Sequence, residues 1–570
     1  MSPAENPLKS KSTIIAALIF FVTAALYLLT LANGFVYDDN FVVLDNPLIR
    51  GGAPIGDIFF KNVWSFFGED NKANFFRPLQ LLLYRAEYSL FGLTPWPWHL
   101  MNLLLHALNA VLVFLIAVII LPSASVGEGT QRPGGYLRGF PPIVAALVFA
   151  FHPVNVEPVA WVSSVSDLLF TFFLLLGFYF YISKKPLKGE GVGVFDPRFL
   201  LALVAFFLAL LGKETAMVFI PLIFLYDLSS FKAQKGSGEG FKWTPYIPFI
   251  LAASLYMLLR TYALGGLVQK ETVDIGAFKA LINIFPLFFA YIGKLVLPVN
   301  LSVIYSLEYA EKFSDPATLT GLLVSIAFII LFIYYRKRVA PSTALSLIAL
   351  PLLPILYIPV ISTGGFSERY LYLSTVGFGL FLGYVFVRGT CEITLRYRAA
   401  GTKRVRLLTR LAAVSIAILL ALYLAGTVQR IGVWKDDLTL WLDALENSPK
   451  SAIAHYNLGT IYQGERSYPE ALWHYQNAAR LDTSYSAAFF NIGSIFADVR
   501  RYPDAAIYFE KAARLDPERS EFSLSLARAY LAGGNTEKAV KVLDTLLGIN
   551  PGLKEAEVLL KEAGKYNVDQ

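Results

Sequence analysis

Asp38 and Asp39 adjoin in Tyr37-Asp38-Asp39-Asn40, just beyond the first long apolar stretch of the chain. A carboxylate at a bilayer edge does nothing for insertion and is costly if drawn deeper, so an acidic pair there points to a working site. Proton transfer is the chemistry such a pair offers. Asp-Asp-Asn after a helix end is also ordinary turn chemistry, and the pair alone does not separate the two readings.

The surroundings are membrane. Hydrophobic residues make up 56% of the 570, aromatic residues 15% and charged residues 16%, and mean hydropathy is +0.54. Most of such a chain dissolves in lipid. The net charge of +7 does not indicate nucleic acid, because Lys and Arg gather in short loops between apolar segments. Cys391 is the only cysteine, which excludes disulfides within the chain and multi-cysteine metal sites.

The stretch from Thr13 to Leu31 is too long for a signal-peptide core and reads as a retained anchor. Further spans fall at about 98 to 121, 141 to 160, 164 to 183, 243 to 262, 317 to 335, 342 to 362, 369 to 388 and 407 to 428. Two shorter ones, Phe199 to Leu211 and Thr215 to Leu228, flank Lys213-Glu214, whose charges argue against one continuous helix. Lys9, Lys11, Arg132, Arg138, the cluster Lys184, Lys185 and Lys188, the trio Lys232, Lys235 and Lys242, the run Arg336-Lys337-Arg338, and Arg396 through Arg406 belong on the cytoplasmic side. The Asp38-Asp39 loop then faces outward. For Arg336 to lie inside, the apolar segment from about 279 to 298 must lie on or dip into the outer face, leaving about eleven crossings and an external C-terminus.

From Trp434 the pattern becomes that of water-soluble helices. Leu458, Gly459, Tyr462, Ala471, Tyr475 and Ala478 recur thirty-four residues on as Ile492, Gly493, Phe496, Ala505, Phe509 and Ala512. A third unit follows from Ser520, and Pro517 and Pro551 close the second and third. This is a tetratricopeptide array with repeats at about 452–485, 486–519 and 520–553, a partial unit before and a capping helix after. Its general use is a surface for a protein or peptide partner. The fold class is therefore all-α: a polytopic helical membrane domain at 1–433 and an α-solenoid at 434–570.

The outward loops of this topology also hold Arg77, Trp96, Trp98, His99, His152, Glu157, Asp167, Lys213, Glu214, Arg260, Glu368, Arg369 and Tyr370. Their gathering at one face was not used to build the topology, and it favours a catalytic cavity.

With these elements the chain resembles the GT-C superfamily of polyprenyl-phosphate-dependent membrane glycosyltransferases, and more closely the O-mannosyltransferases that carry tetratricopeptide repeats. Shared are an acidic pair after the first span, Phe76-Arg77-Pro78-Leu79, a His-Pro-x-x-x-Glu element from His152 to Glu157, the pair Lys213-Glu214, and Glu368-Arg369-Tyr370-Leu371-Tyr372-Leu373. Two places depart from the pattern. Asn155 stands where the animal enzymes usually have a second histidine, and Ser163-Ser164-Val165-Ser166 lacks their Gly-Arg before Asp167.

The resemblance implies transfer of a sugar, a hexose such as mannose, from a polyprenyl phosphate to a hydroxyl of an extracytoplasmic protein, with inversion. A hydroxyl needs a base, for which Asp38 is the first choice and Asp39 the second. The leaving phosphate needs cations, with Arg369 leading and Lys213 and Arg260 next. His152 with Glu157 or Asp38 leaves room for a divalent ion that spacing cannot verify. His99, Asn102 and His106 recur at helical spacing and read as a polar packing seam. Lys213 with Glu214, and Glu368 with Arg369, are alternatively plain ion pairs. The expected setting is a plasma or inner membrane, with the site and the repeats on the extracytoplasmic side. Two other readings are a non-enzymatic membrane-anchored scaffold for envelope proteins, and the same chemistry on a glycan or lipid acceptor.

Overall fold

The computed structural model describes residues 7–50, 54–61, 75–121, 140–183, 196–233, 241–266, 276–305, 309–356, 366–396 and 402–566. Among these there are helices and turns and no strand. The chain divides into two compact units, Met1–Val303 with Leu307–Asp436, and Ile304–Ser306 with Asp437–Gln570.

In the first unit, nine helices among the described residues are long and apolar enough to cross a bilayer. They become ten if Phe140–Phe151 and Pro153–Ala160, bent by 53° at His152, count as one broken span. Two shorter apolar helices, Pro197–Gly212 and Val339–Ala349, accompany them. Proline opens several helices, at Pro78, Pro95, Pro197 and Pro316, where its fixed φ suits the first turn and its missing N–H is not needed. Lys213-Glu214 breaks its helix as expected: Lys213 is extended, at φ −161° and ψ 138°, and a short 3-10 turn follows.

The segment read as lying on the outer face is a full helix, Ala277–Val296, which by length and composition alone is among the nine. Its last turn nonetheless reaches the site-bearing end of the bundle, where the Leu295 carbonyl meets the His152 ring and the Val296 carbonyl accepts from Tyr423. The span expected at 342 to 362 is helical to Ala349, with turns beyond it, and 357–362 lie outside the described residues. So do several cations that set the sidedness, Arg132, Arg138, Lys184, Lys185, Lys188 and Lys235.

Close packing fixes the helices that carry the site. A Cβ on Gly379 would lie 2.4 Å from the Ala145 carbonyl oxygen, so only glycine lets Tyr372–Arg396 come this near Phe140–Phe151. That approach registers the start of one helix, beside Arg369, against the break of the other, beside Glu157.

The second unit is a row of antiparallel helix pairs: Ala452–Gly464 with Tyr468–Leu481, Ser486–Asp498 with Tyr502–Leu515, and Ser520–Ala532 with Thr536–Ile549. Asp437–Asn447 precedes them and Lys554–Tyr566 follows. The repeated glycine has a steric reason: a Cβ on Gly459 would sit 2.7 Å from the Tyr475 ring, and one on Gly493 would sit 2.8 Å from the Phe509 ring.

Candidate active site

The two aspartates have different surroundings. Asp39 is fully buried and both its oxygens are engaged. Oδ1 accepts from the Ser163 amide at 2.7 Å and the Ser163 hydroxyl at 2.5 Å, and Oδ2 accepts from the Val36 amide at 3.2 Å. Burial pushes its carboxyl up to about 7 against the pull of those hydrogen bonds. Asp38 is half-buried, and its carboxylate has no hydrogen bond among the described residues. Burial raises it to about 6, while Arg369 and then Arg77 hold it lower. The residue before it, Tyr37, takes a left-handed backbone at φ +56°, unfavourable by about 1–2 kcal/mol for a residue with a Cβ. Its ring lies 5.3 Å from that of Trp161.

Two buried ion pairs stand beside the aspartates. Arg369 Nη1 donates to Glu157 Oε1 at 2.9 Å, and the Arg369 amide to Oε2 at 3.2 Å, with the Ser367 hydroxyl adding a third hydrogen bond to Glu157. Lys213 Nζ donates to Asp167 Oδ1 at 2.6 Å. Tyr370 links the pairs, its ring 5.1 Å from Lys213 Nζ and 5.2 Å from the Arg369 guanidinium, which also lies 5.0 Å from Trp161. Arg77 Nη1 donates to the Ser166 hydroxyl at 3.1 Å, but its Nε is buried with no partner among the described residues. Arg77 also lies within electrostatic reach of Tyr256, as do Glu214 and Arg260.

The structure thus brings Asp38, Asp39, Arg77, Glu157, Asp167, Lys213, Arg369 and Tyr370 into one connected group. Several sequence readings change. Lys213 pairs with Asp167 and not with Glu214, and Arg369 pairs with Glu157 and not with its neighbour Glu368. Glu368 instead accepts from the Ser302 amide at 2.6 Å. His152 is turned away from the carboxylates: Nδ1 accepts from the Val154 amide at 3.4 Å, so Nε2 carries the proton toward the Leu295 carbonyl at 2.9 Å. It shapes the break before Pro153. Among the described residues no group of three His, Cys, Asp or Glu side chains is placed to hold a metal ion.

The packing seam is present and does more than pack. Asn102 Nδ2 donates to the carbonyls of Val159 and Trp161, while His106 and Asn109 both meet the Tyr372 hydroxyl, at 2.8 Å and 3.1 Å. The seam holds the loop that carries Trp161 and Ser163. Sequence reasoning missed Trp161, Ser163 and Tyr37 as parts of the site. Their one signal was proximity, Tyr37 to the acidic pair and the others to Glu157 and Asp167.

Fold and site together define a polytopic helical membrane protein with a buried, charge-paired cluster and a helical-repeat unit. The model of the tetratricopeptide repeat matches residues 497–563. Protein O-mannosyl-transferase F38B6.6 of Caenorhabditis elegans is 25% identical over 85% of this chain and 65% of its own length. Protein O-mannosyl-transferase TMTC3 of Mus musculus is 24% identical over 81% of this chain and 50% of its own, and TMTC1 of Homo sapiens 24% identical over 83% and 56%. The chain is similar to these proteins over most of its length, and spans about half to two thirds of theirs. The crystal structure of the APC/C hetero-tetramer Cut9-Hcn1 aligns over 75% of this chain and 91% of that one, with a TM-score of 0.23 and 16% identity. A score so low bears no weight.

Proposed function

We propose that the chain moves a hexose, mannose by the names of its relatives, from a polyprenyl-phosphate donor to a hydroxyl of an extracytoplasmic protein. One observation carries the reading: a half-buried carboxylate, Asp38, without a hydrogen bond among the described residues, lies beside Arg369 and Arg77 while both oxygens of its neighbour Asp39 are taken up by the fold. Asp38 takes the proton of the acceptor hydroxyl as its oxygen attacks the sugar's anomeric carbon. The carbon–oxygen bond to the phosphate breaks, and its electron pair leaves with the lipid phosphate, inverting the centre in one displacement. Arg369, Lys213, Arg260 and Arg77 stabilise the charge on that phosphate. Asp39 is a positioning residue, pinning the turn that presents Asp38.

An open apolar groove of about 620 Å³ supports a lipid donor. Met217, Ile220, Ile250, Met257 and Thr261 are among its lining, and it adjoins Glu214 and Arg260 in sequence. Unbranched methionines suit a flexible isoprenoid chain. The positive-inside pattern supports a site and repeat unit outside the cytoplasm, and the repeats suit presentation of a protein acceptor.

The test is turnover of a polyprenyl-phosphate mannose by the purified full-length chain. Asp38→Asn keeps the shape but cannot accept the proton, and cuts the rate by ~10² to 10⁴ with donor binding retained. Asp39→Asn turns an amide N–H₂ or a weaker acceptor toward Ser163 and loses less, because Asp38 survives as the base. Wild-type rates in Asp38→Asn would end the assignment.

A further inference from the structure

The three repeats treat the face of one aromatic slot in two ways. In the second, the Arg501 guanidinium lies 4.9 Å from the Phe496 ring centroid, and its Nε donates to Asp504 at 2.8 Å. In the third, Asn535 holds the slot of Arg501, and Lys538, in the slot of Asp504, brings its Nζ to 5.5 Å from the Tyr530 ring. Tyr462 holds the corresponding aromatic slot of the first repeat, and Glu470 the slot of Asp504. The slot of Arg501, however, is Ser467, and among the described residues no cation stands over Tyr462 and none pairs with Glu470. Arg466 does not replace it: its counterpart Arg500 is also present in the second repeat, exposed and in the same left-handed backbone, and there Arg501 still fills the place.

What remains is an open cleft of about 300 Å³, lined by Tyr462, Pro469, Glu470, Trp473 and His474. Its walls are set. The His474 ring stacks on Tyr462 at 5.4 Å, Trp473 stands perpendicular to it at 4.7 Å with 55% of its surface exposed, and His455 holds His474 through an Nδ1–Nδ1 contact of 3.1 Å. Burial, and next the neighbouring His455, lowers His474 to about 4, so the ring is neutral at physiological pH and does not repel a cation. Aromatic faces with a carboxylate at the rim suit a basic group. The unit itself favours basic partners, since acidic side chains outnumber basic ones from Asp437 onward in a chain whose net charge is +7.

We propose that the cleft of the first repeat binds a lysine or arginine side chain of a partner peptide, against the aromatic slot that Arg501 and Lys538 cover in the two repeats that follow. This stands apart from the transfer chemistry and fails or survives without it.

The test uses the full chain in detergent and fluorescently labelled heptapeptides of glycine and serine with arginine, lysine or glutamine at the centre. The arginine and lysine peptides bind about 10-fold more tightly than the glutamine peptide, the scale of a partly desolvated cation–π contact with a carboxylate beside it. Ser467→Arg copies the second repeat, closes the cleft with the chain's own guanidinium and abolishes that preference. The substitution suits the backbone, because Ser467 and Arg501 both precede the first turn of their helices. Should it unfold the repeats, Glu470→Gln on the surface serves instead and lowers the preference several-fold. Equal binding of the arginine and glutamine peptides by the unaltered chain, or a preference untouched by either variant that folds, would overturn the proposal.

Discussion

Ion pairs occur in both units, in different settings. Lys213 and Asp167 are each only 4% exposed at the side chain, and Glu157 beneath Arg369 is fully buried. In the repeats, Arg501 with Asp504, Arg514 with Glu510 and Arg528 with Glu555 are all largely in water. Exposed pairs contribute about 0–1 kcal/mol. Buried pairs do not stabilise better than well-packed apolar residues of the same size, because desolvating both charges offsets their attraction. Stability therefore does not account for Lys213-Asp167 and Arg369-Glu157 in a chain so rich in hydrophobic residues. On the function proposed above, a phosphate donor accounts for them, the pairing tolerating the cations until the anion arrives.

The sharpest way to break this contrast is Lys213→Ala. It leaves Asp167 buried and uncompensated, and stability falls by about 3–5 kcal/mol, seen as a lower unfolding midpoint of the full chain in detergent. Replacing Lys213 and Asp167 together with methionine and leucine restores most of the loss and still abolishes donor binding. A double variant that binds donor normally would make the pair structural after all.

How far the sequence disclosed this site follows from what each residue's role depends on. Lys213 and Arg369 stood out because a charge between apolar spans needs a reason, and the break at Lys213-Glu214 followed from the same cost. Their partners did not, because Asp167 and Glu157 lie 46 and 212 residues from them and pairing is a property of the packed helices. The repeats were legible slot by slot, since period and small residues are written locally. The different surroundings of Asp38 and Asp39 were invisible in sequence: they rest on the Ser163 amide and hydroxyl, 124 residues away. The helix at Ala277–Val296 shows the opposite limit. Charge counting set it on the outer face, while its length and composition fit a crossing equally well.

A smaller effect separates the aspartates by pH. Burial first, against Arg369 and Arg77, sets Asp38 at about 6. A base must be unprotonated, so turnover falls as pH drops through that value and is about 10-fold lower at pH 5 than at pH 7.5. Asp39 at about 7 is coupled to Asp38, so the limb belongs to the pair and spreads over about 6 to 7. A rate profile flat down to pH 5 would mean that burial does not govern Asp38.

The smallest effect belongs to the repeats. Arg514 Nη2 donates to Glu510 at 2.7 Å, one turn earlier on the same helix. Glutamate N-terminal to its cation is the better order, and Arg514 also lies in the last turn, where a cation favours the helix dipole. Both contributions act through water, with 75% of the Arg514 side chain exposed. Arg514→Ala therefore lowers stability by about 0.5 kcal/mol, a shift of about 2 °C in the unfolding midpoint of the repeats. Raising salt to about 1 M, where the screening length is roughly 3 Å, removes most of even that difference. The same salt leaves the Lys213→Ala defect largely intact, because little solvent reaches Asp167 to screen it. If Arg514→Ala were as damaging as Lys213→Ala, and as indifferent to salt, then exposure would not be what distinguishes the two sets of pairs, and the case for an anion site built on buried cations would lose its energetic basis.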